Sequence, residues 1–222
     1  MSSPKTLRRS LQWDGILAGL SLLACSPVLL VIAISIWLED GKPVLFRQIR
    51  VGRLGAPFAL LKFRSMRNHA AGALLTSEGD PRVTRVGKFL RRYKLDELPQ
   101  LWNVVRGEMS LIGPRPEVPK FVDLTDPVWT EVLQTKPGIT DLATLAYRDE
   151  ESILANYADV ERGYREEVLP AKLALNREYL ANRSGWSDIK LLALTVRFSL
   201  APAGFDAQQA KRAILPPVEI KD

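Results

Sequence analysis

Between Gly15 and Leu38 the chain carries no charged residue at all. Over its full 222 residues it has one cysteine and one histidine. With Cys25 alone, no internal disulfide forms and no zinc cluster is assembled, and a reducing, cytosolic setting fits. His69 lies in a small, polar stretch (68–81) that reads as a loop, which favours a surface role over catalysis. The chain also lacks a glycine-rich phosphate loop ending in Lys-Ser or Lys-Thr, and it lacks a dinucleotide fingerprint. No serine or cysteine nucleophile has a recognisable base partner. Triad hydrolysis, nucleotide hydrolysis at a P-loop and hydride transfer on a dinucleotide are thereby set aside.

What is present begins with charge. A net charge of +6 and a pI near 9.5 suit anionic partners such as phospholipid headgroups or phosphate-rich substrates. The 24 uncharged residues at 15–38 are long enough to cross a bilayer as a helix. Ser26-Pro27 stands in their middle, where proline removes a backbone donor and kinks or breaks a helix.

Three readings compete for this segment. Lys5, Arg8 and Arg9 before an apolar run resemble a signal, and Leu22-Leu23-Ala24-Cys25 resembles a lipoprotein processing site. The apolar run continues 13 residues past Cys25, further than a cleaved signal requires. A simple span places basic residues on both sides, since Lys42, Arg47, Arg50 and Arg53 follow it, and stays open beside the third reading. A re-entrant hairpin puts both ends on one side, with Ser26 helping to satisfy the backbone groups that Pro27 frees.

Downstream, residues 44–66 predict two extended runs around a turn at Gly52–Pro57. From Arg82 to Lys94, apolar residues recur at helical spacing among six basic ones and no acid. That pattern is a basic amphipathic helix, suited to a membrane surface or an anion site, or else the solvated face of a core helix. Residues 95–105 predict a second helix, with Asp96 as N-cap, Pro99 in the first turn and Trp102 in the core. Gly113, Pro114 and Pro116 stiffen the turn around Arg115, and Lys136-Pro137-Gly138 marks another. Residues 150–182 read mostly as helix, and 187–200 as a final amphipathic helix. The expected division is a basic start and membrane helix (1–40), a catalytic domain (41–201) and a tail (202–222). The expected fold is α/β, mostly α with a small β-hairpin.

Asp96-Glu97 is the sharpest chemical feature. Acids at a helix start are usually caps. Here Arg91 precedes them and the rigid Arg115 follows, and both arginines can fork onto phosphate oxygens. A carboxylate pair can also share a magnesium ion with substrate phosphates. An ionised Asp in that company can attack phosphorus. A basic membrane-surface binding module whose acids only cap a helix remains the rival reading.

KFRSM (62–66), LDELPQLWNVVRGEMSLIGPRP (95–116) and KPGIT (136–140) resemble the bacterial sugar transferases, the monotopic polyprenol-phosphate phosphoglycosyl transferases. The chain resembles their minimal catalytic form, without the multi-span N-terminal region of larger members. The resemblance implies transfer of a phosphosugar from a UDP-sugar to undecaprenyl phosphate with loss of UMP. It makes Asp96 a covalent nucleophile, Glu97 a metal or positioning ligand with Mg2+ as cofactor, and Arg91 and Arg115 phosphate binders. Lys62 falls inside a family motif as a further substrate-site residue. The partners implied are a UDP-sugar, undecaprenyl phosphate and an anionic phospholipid membrane, not nucleic acid. The resemblance also implies that Ser26-Pro27 breaks a re-entrant helix, with basic amphipathic helices at the headgroups and the site on the cytoplasmic face of the bacterial inner membrane. One departure stands out. Many members follow Gly-Ile-Thr with Gly-Trp-Ala-Gln-Val, where this chain has Asp141-Leu142-Ala143-Thr144-Leu145.

Overall fold

The computed structural model describes residues 4–67, 75–76, 79–202, 212 and 214, with side chains from Trp13 onward. His69, most of the 68–81 stretch and nearly all of the tail lie outside the described residues.

Helix α1 (Pro4–Asp40) is 37 residues long, about 55 Å at the α-helical rise. It stays helical through Pro27, so the two separate helices expected around Ser26-Pro27 are here one element. The local chemistry explains the continuity. Pro27 has no N–H for the carbonyl four residues earlier, that of Leu23. The Ser26 hydroxyl donates to that same Leu23 oxygen at 2.8 Å. The serine thus satisfies the acceptor that the proline orphans. Among the described residues α1 is the one helix long and apolar enough to cross a membrane, and only 11% of its most apolar window is buried in the protein. That exposure distinguishes it from the core helix of a soluble domain. Cys25 lies inside this helix as a free thiol.

Both arms of α1 pack on the rest of the chain. Ala18 and Leu22 join Leu60, Leu101, Val104 and Met109 in one cluster. Ile32 and Ile36 join Phe63 and Leu90 in another. The residues between, from Leu23 to Val28, are mostly exposed. The C-terminal arm is also tied by polar groups. Glu39 accepts from the N–H groups of Arg85 and Val86, and Arg64 donates to the Asp40 and Gly41 carbonyls.

Strands β1 (Leu45–Val51) and β2 (Pro57–Phe63) form the expected antiparallel hairpin. A 3-10 turn at Arg53–Gly55 connects them. Helix α2 (Arg85–Arg92) is the basic helix, begun by the Thr84 side chain, which accepts from Gly87 N–H. Helix α3 (Gln100–Val105) follows. Strands β3 (Ser110–Ile112) and β4 (Gly138–Thr140) make a second, parallel pair that the sequence pattern does not reveal. The remaining elements are helical: α4 (Pro127–Val132), α5 (Leu142–Ala146), α6 (Glu150–Leu154), α7 (Val160–Gly163), α8 (Leu169–Ala181) and α9 (Gly185–Leu200). The fold is therefore mostly helical with small sheets. Phe121, Trp129, Tyr164 and Leu169 centre the main core. Leu142, Tyr179, Leu191 and Phe198 centre the one that joins α5, α8 and α9.

Two local expectations are corrected. Asp96 is not an N-cap: it sits in a 3-10 turn (Leu95–Glu97), and α3 begins only at Gln100 with Pro99 before it. Trp102 is not core but 50% exposed. The face of α3 that goes inward carries Gln100 and Asn103 beside Leu101 and Val104, and Asn103 meets the free edge of β2. Asn103 donates to Ala59 O at 2.8 Å and accepts from Leu61 N–H at 3.1 Å. It stands in for a third strand, and that role turns Trp102 outward.

Candidate active site

Lys94 adopts a left-handed conformation (φ 55°), which a non-glycine residue enters at a cost of about 1–2 kcal/mol. That bend ends the α2 segment and throws Asp96 and Glu97 inward, where they are 6% and 8% exposed. They line a cleft of about 710 Å³ whose walls include Lys62, Arg91, Lys94 and Arg115.

The two carboxylates differ in environment. Glu97 is held by three contacts: Arg115 donates to Oε2 at 3.0 Å and to Oε1 at 2.5 Å, and Lys62 Nζ lies 3.2 Å from Oε1. Burial alone would raise the Glu97 pKa. The charges of Arg115 and Lys62 and the Arg115 hydrogen bonds outweigh it and hold the group well below the usual carboxylate range. Burial lowers the Lys62 pKa against the opposing pull of Glu97. For Arg115 burial acts in the same sense, but Glu97 prevails and raises it.

Asp96 has no such support. Its Oδ1 is buried and accepts no hydrogen bond. Burial raises its pKa, Lys62 opposes the rise, and the Glu97 charge adds to it. The site therefore holds one carboxylate locked by cations and one whose Oδ1 is buried with no hydrogen-bond partner.

Arg115 is held from behind. Cβ atoms on Gly113 and Gly138 would fall 2.3 Å from Lys136 O and 2.1 Å from Gly113 N, so only glycine permits this approach. Gly113 N–H donates to Thr140 O, and Gly138 N–H to Pro114 O, each at 3.0 Å. Arg91 reaches the cleft from α2. It donates to Ser65 Oγ at 3.0 Å, to Thr76 Oγ1 at 3.4 Å and to Glu151 Oε1 at 2.5 Å.

A family model described as bacterial sugar transferase matches residues 5–201. The chain belongs to the bacterial sugar transferase family. It is 40% identical over 190 residues to the UDP-glucose:undecaprenyl-phosphate glucose-1-phosphate transferase of Escherichia coli, covering 82% of this chain and 38% of the relative. The enzyme with the same printed name from Caulobacter vibrioides is 38% identical over 193 residues, 82% of this chain and 66% of the relative. The UDP-N-acetylgalactosamine-undecaprenyl-phosphate N-acetylgalactosaminephosphotransferase of Aeromonas hydrophila is 37% identical over 202 residues, 88% of this chain and 44% of the relative. The chain thus spans about half the length of the curated relatives it matches.

Within this bacterial sugar transferase, all five residues singled out around the cleft line it: Lys62, Arg91, Asp96, Glu97 and Arg115. Ser26 and Pro27 lie apart from them, on α1. Sequence reasoning misses a second polar cluster on the cleft wall. Lys172 of α8, 5% exposed, contacts Glu150 Oε2 at 2.7 Å and Glu117 Oε1 at 3.8 Å. Tyr164 donates to Glu117 at 2.5 Å, and Arg50 lies 3.5 Å from its other oxygen. The acidic pair Glu150-Glu151 is visible in the sequence, whereas nothing in the spacing of α8 marks Lys172 as inward.

Proposed function

We propose that this chain transfers a phosphosugar from a UDP-sugar to undecaprenyl phosphate, releasing UMP and starting a surface glycan. The observation that carries the reading is Asp96, a buried carboxylate that lines a cation-rich cleft and whose Oδ1 has no hydrogen-bond partner. The printed names of the relatives supply the substrate classes.

In the first step an Asp96 oxygen attacks the phosphorus that bears the sugar. The new O–P bond forms as the bond to UMP breaks, and its electron pair leaves with UMP. An oxygen of undecaprenyl phosphate then attacks the same phosphorus. The Asp96–phosphorus bond breaks, which restores the carboxylate and releases a lipid-linked diphosphosugar. Arg115, with two donors committed to Glu97, directs its remaining N–H groups at phosphate oxygens. Arg91 does the same by exchanging Glu151 for the substrate. Lys62 and Glu97 hold the array rigid.

The residues present fit Mg2+. Asp96 Oδ1 lacks a partner, and Glu97 uses only three of about four lone-pair directions. Magnesium characteristically combines one or two carboxylates with substrate phosphates. Bound there it supplies charge neutralisation to the diphosphate.

The membrane arrangement proposed rests on α1. Two arms packed on one domain, with an exposed apolar middle at Ser26-Pro27, support a re-entrant helix that leaves both ends on the cytoplasmic face of the inner membrane. The basic helix α2 then lies at the level of anionic headgroups and of the lipid phosphate. Single cysteines placed before Gly15 and after Leu38, in a Cys25→Ser background, are expected to react with an impermeant thiol reagent from the cytoplasmic side only. Labelling from opposite sides removes the re-entrant reading.

Turnover itself is tested by incubating the protein with Mg2+, undecaprenyl phosphate and a panel of UDP-sugars. At least one sugar is expected to give UMP, and silence across the panel removes the proposal. The pH response follows from the two carboxylates. Asp96 must be ionised to attack and its pKa in the metal-free protein is raised, so at limiting Mg2+ kcat/KM falls as pH drops through a value above the ordinary Asp range of about 3.9, and saturating Mg2+ moves that limb to lower pH. Glu97 has a lowered pKa, so its stabilising contribution persists above about 4.5 and is lost only as pH falls through its lowered value. Acid inactivation is therefore expected to precede acid unfolding and to reverse on neutralisation. Coincident loss of activity and circular dichroism contradicts that ordering.

A further inference from the structure

We infer that Asp141 is a positioning residue whose two carboxylate oxygens clamp the Arg115 backbone to the first turn of α5, and so set the guanidinium that handles the diphosphate. The inference rests on the transfer reading above. Asp141 is 1% exposed and directly follows β4. One oxygen, Oδ1, accepts from Thr144 N–H and caps α5. The other, Oδ2, accepts from Arg115 N–H at 2.7 Å.

The second bond is the informative one. Arg115 stands between Pro114 and Pro116, neither of which has a backbone donor. Its N–H is therefore the only backbone donor in that tripeptide, and Asp141 takes it. With Gly113 N–H on Thr140 O and Gly138 N–H on Pro114 O, the whole Gly113–Arg115 turn hangs from residues 138–141. The guanidinium at the end of this anchored backbone forks onto Glu97 beside Asp96.

A helix cap alone needs one oxygen, and Ser, Thr or Asn supplies it as well as Asp does. Only a carboxylate offers two equivalent acceptors at this reach. Asp141 is also the position at which this chain leaves the pattern in which many family members carry glycine. A glycine at this position carries no side-chain acceptor, so the clamp depends on the Asp141 carboxylate. It also links Arg115 to Thr144, a residue of the same cleft wall whose hydroxyl is buried without a partner.

The test separates the cap from the clamp. Asp141→Gly removes both oxygens, and Asp141→Ser keeps a cap acceptor and gives up the clamp. Three quantities are measured on full-length protein: Tm, kinetics with the best UDP-sugar of the panel, and the Kd for UDP. The glycine variant is expected to lose Tm and to raise both KM and the UDP Kd about tenfold. The serine variant is expected to lose less Tm than the glycine variant, because it keeps the cap and orphans only the Arg115 N–H, while KM and Kd still rise about tenfold, with kcat changed less. Wild-type KM and Kd in Asp141→Ser make the residue a helix cap only and overturn the inference, as do unchanged constants in Asp141→Gly. Wild-type protein that binds UDP without turning over any UDP-sugar removes the transfer reading alone, leaving the clamp to be judged on Kd. Protein that binds no UDP overturns the clamp's role as well.

Discussion

Asp96→Asn is expected to reduce UMP release on the order of 10⁴-fold or more without lowering Tm. The two halves of that result have one cause. Asp96 is buried, its Oδ1 accepts no hydrogen bond, and burial raises its pKa. A folded protein with this carboxylate ionised at neutral pH is less stable than one with a neutral group there, because the charge loses water and gains too little in return. The amide abolishes the nucleophile and removes that penalty together. A plain helix cap behaves in the opposite way: replacing a cap costs about 1 kcal/mol and leaves chemistry alone. Thermal unfolding and UMP release on the same preparation check both halves. Retained turnover removes Asp96 as nucleophile, and a large drop in Tm shows that its carboxylate is structural.

Glu97→Ala is expected to behave quite differently, destabilising the protein by about 3–5 kcal/mol. Its carboxylate is the counter-charge for Arg115 and Lys62, both largely buried. Removing it leaves two cations facing each other across a cavity. Lys62 can respond by losing its proton, since its pKa is already lowered, but Arg115 stays charged. For a chain of this size the loss corresponds to a Tm drop of roughly 10 °C. Activity falls as well, because Arg115 loses the fork that aims it. A Tm within a degree or two of wild type means that the ion pairs seen around Glu97 contribute nothing in solution.

These adjacent acids show how far the sequence reads and where it stops. Their nearness to basic residues is legible in the run from Arg82 to Arg115, and so is the stiffness of the turn that carries Arg115, but their burial is not: the spacing reads Asp96 as an N-cap. Which acid is locked and which is free depends on Lys62, 34 positions before Asp96, and on the left-handed bend at Lys94. Local spacing encodes neither. The same limit explains Trp102 and Asn103. Helical periodicity puts the tryptophan inside, but the unpaired edge of β2 claims the inward position for a polar side chain. Ser26 reads correctly because its partner is only three residues away. Lys172 and Glu117, 55 residues apart, meet only through tertiary packing. Asp141, a bare departure from a family motif in the sequence, gains a role once its two oxygens are seen to face different elements.

The most direct test of the account is the intact mass of the wild-type protein after incubation with Mg2+ and its UDP-sugar in the absence of undecaprenyl phosphate. The expected result is the mass of one phosphosugar added per chain, located by peptide mapping to the segment containing Asp96, with one equivalent of UMP released. Later addition of undecaprenyl phosphate should discharge the adduct. An unmodified protein that releases UMP only when both substrates are present, or an adduct mapped to a segment without Asp96, contradicts it.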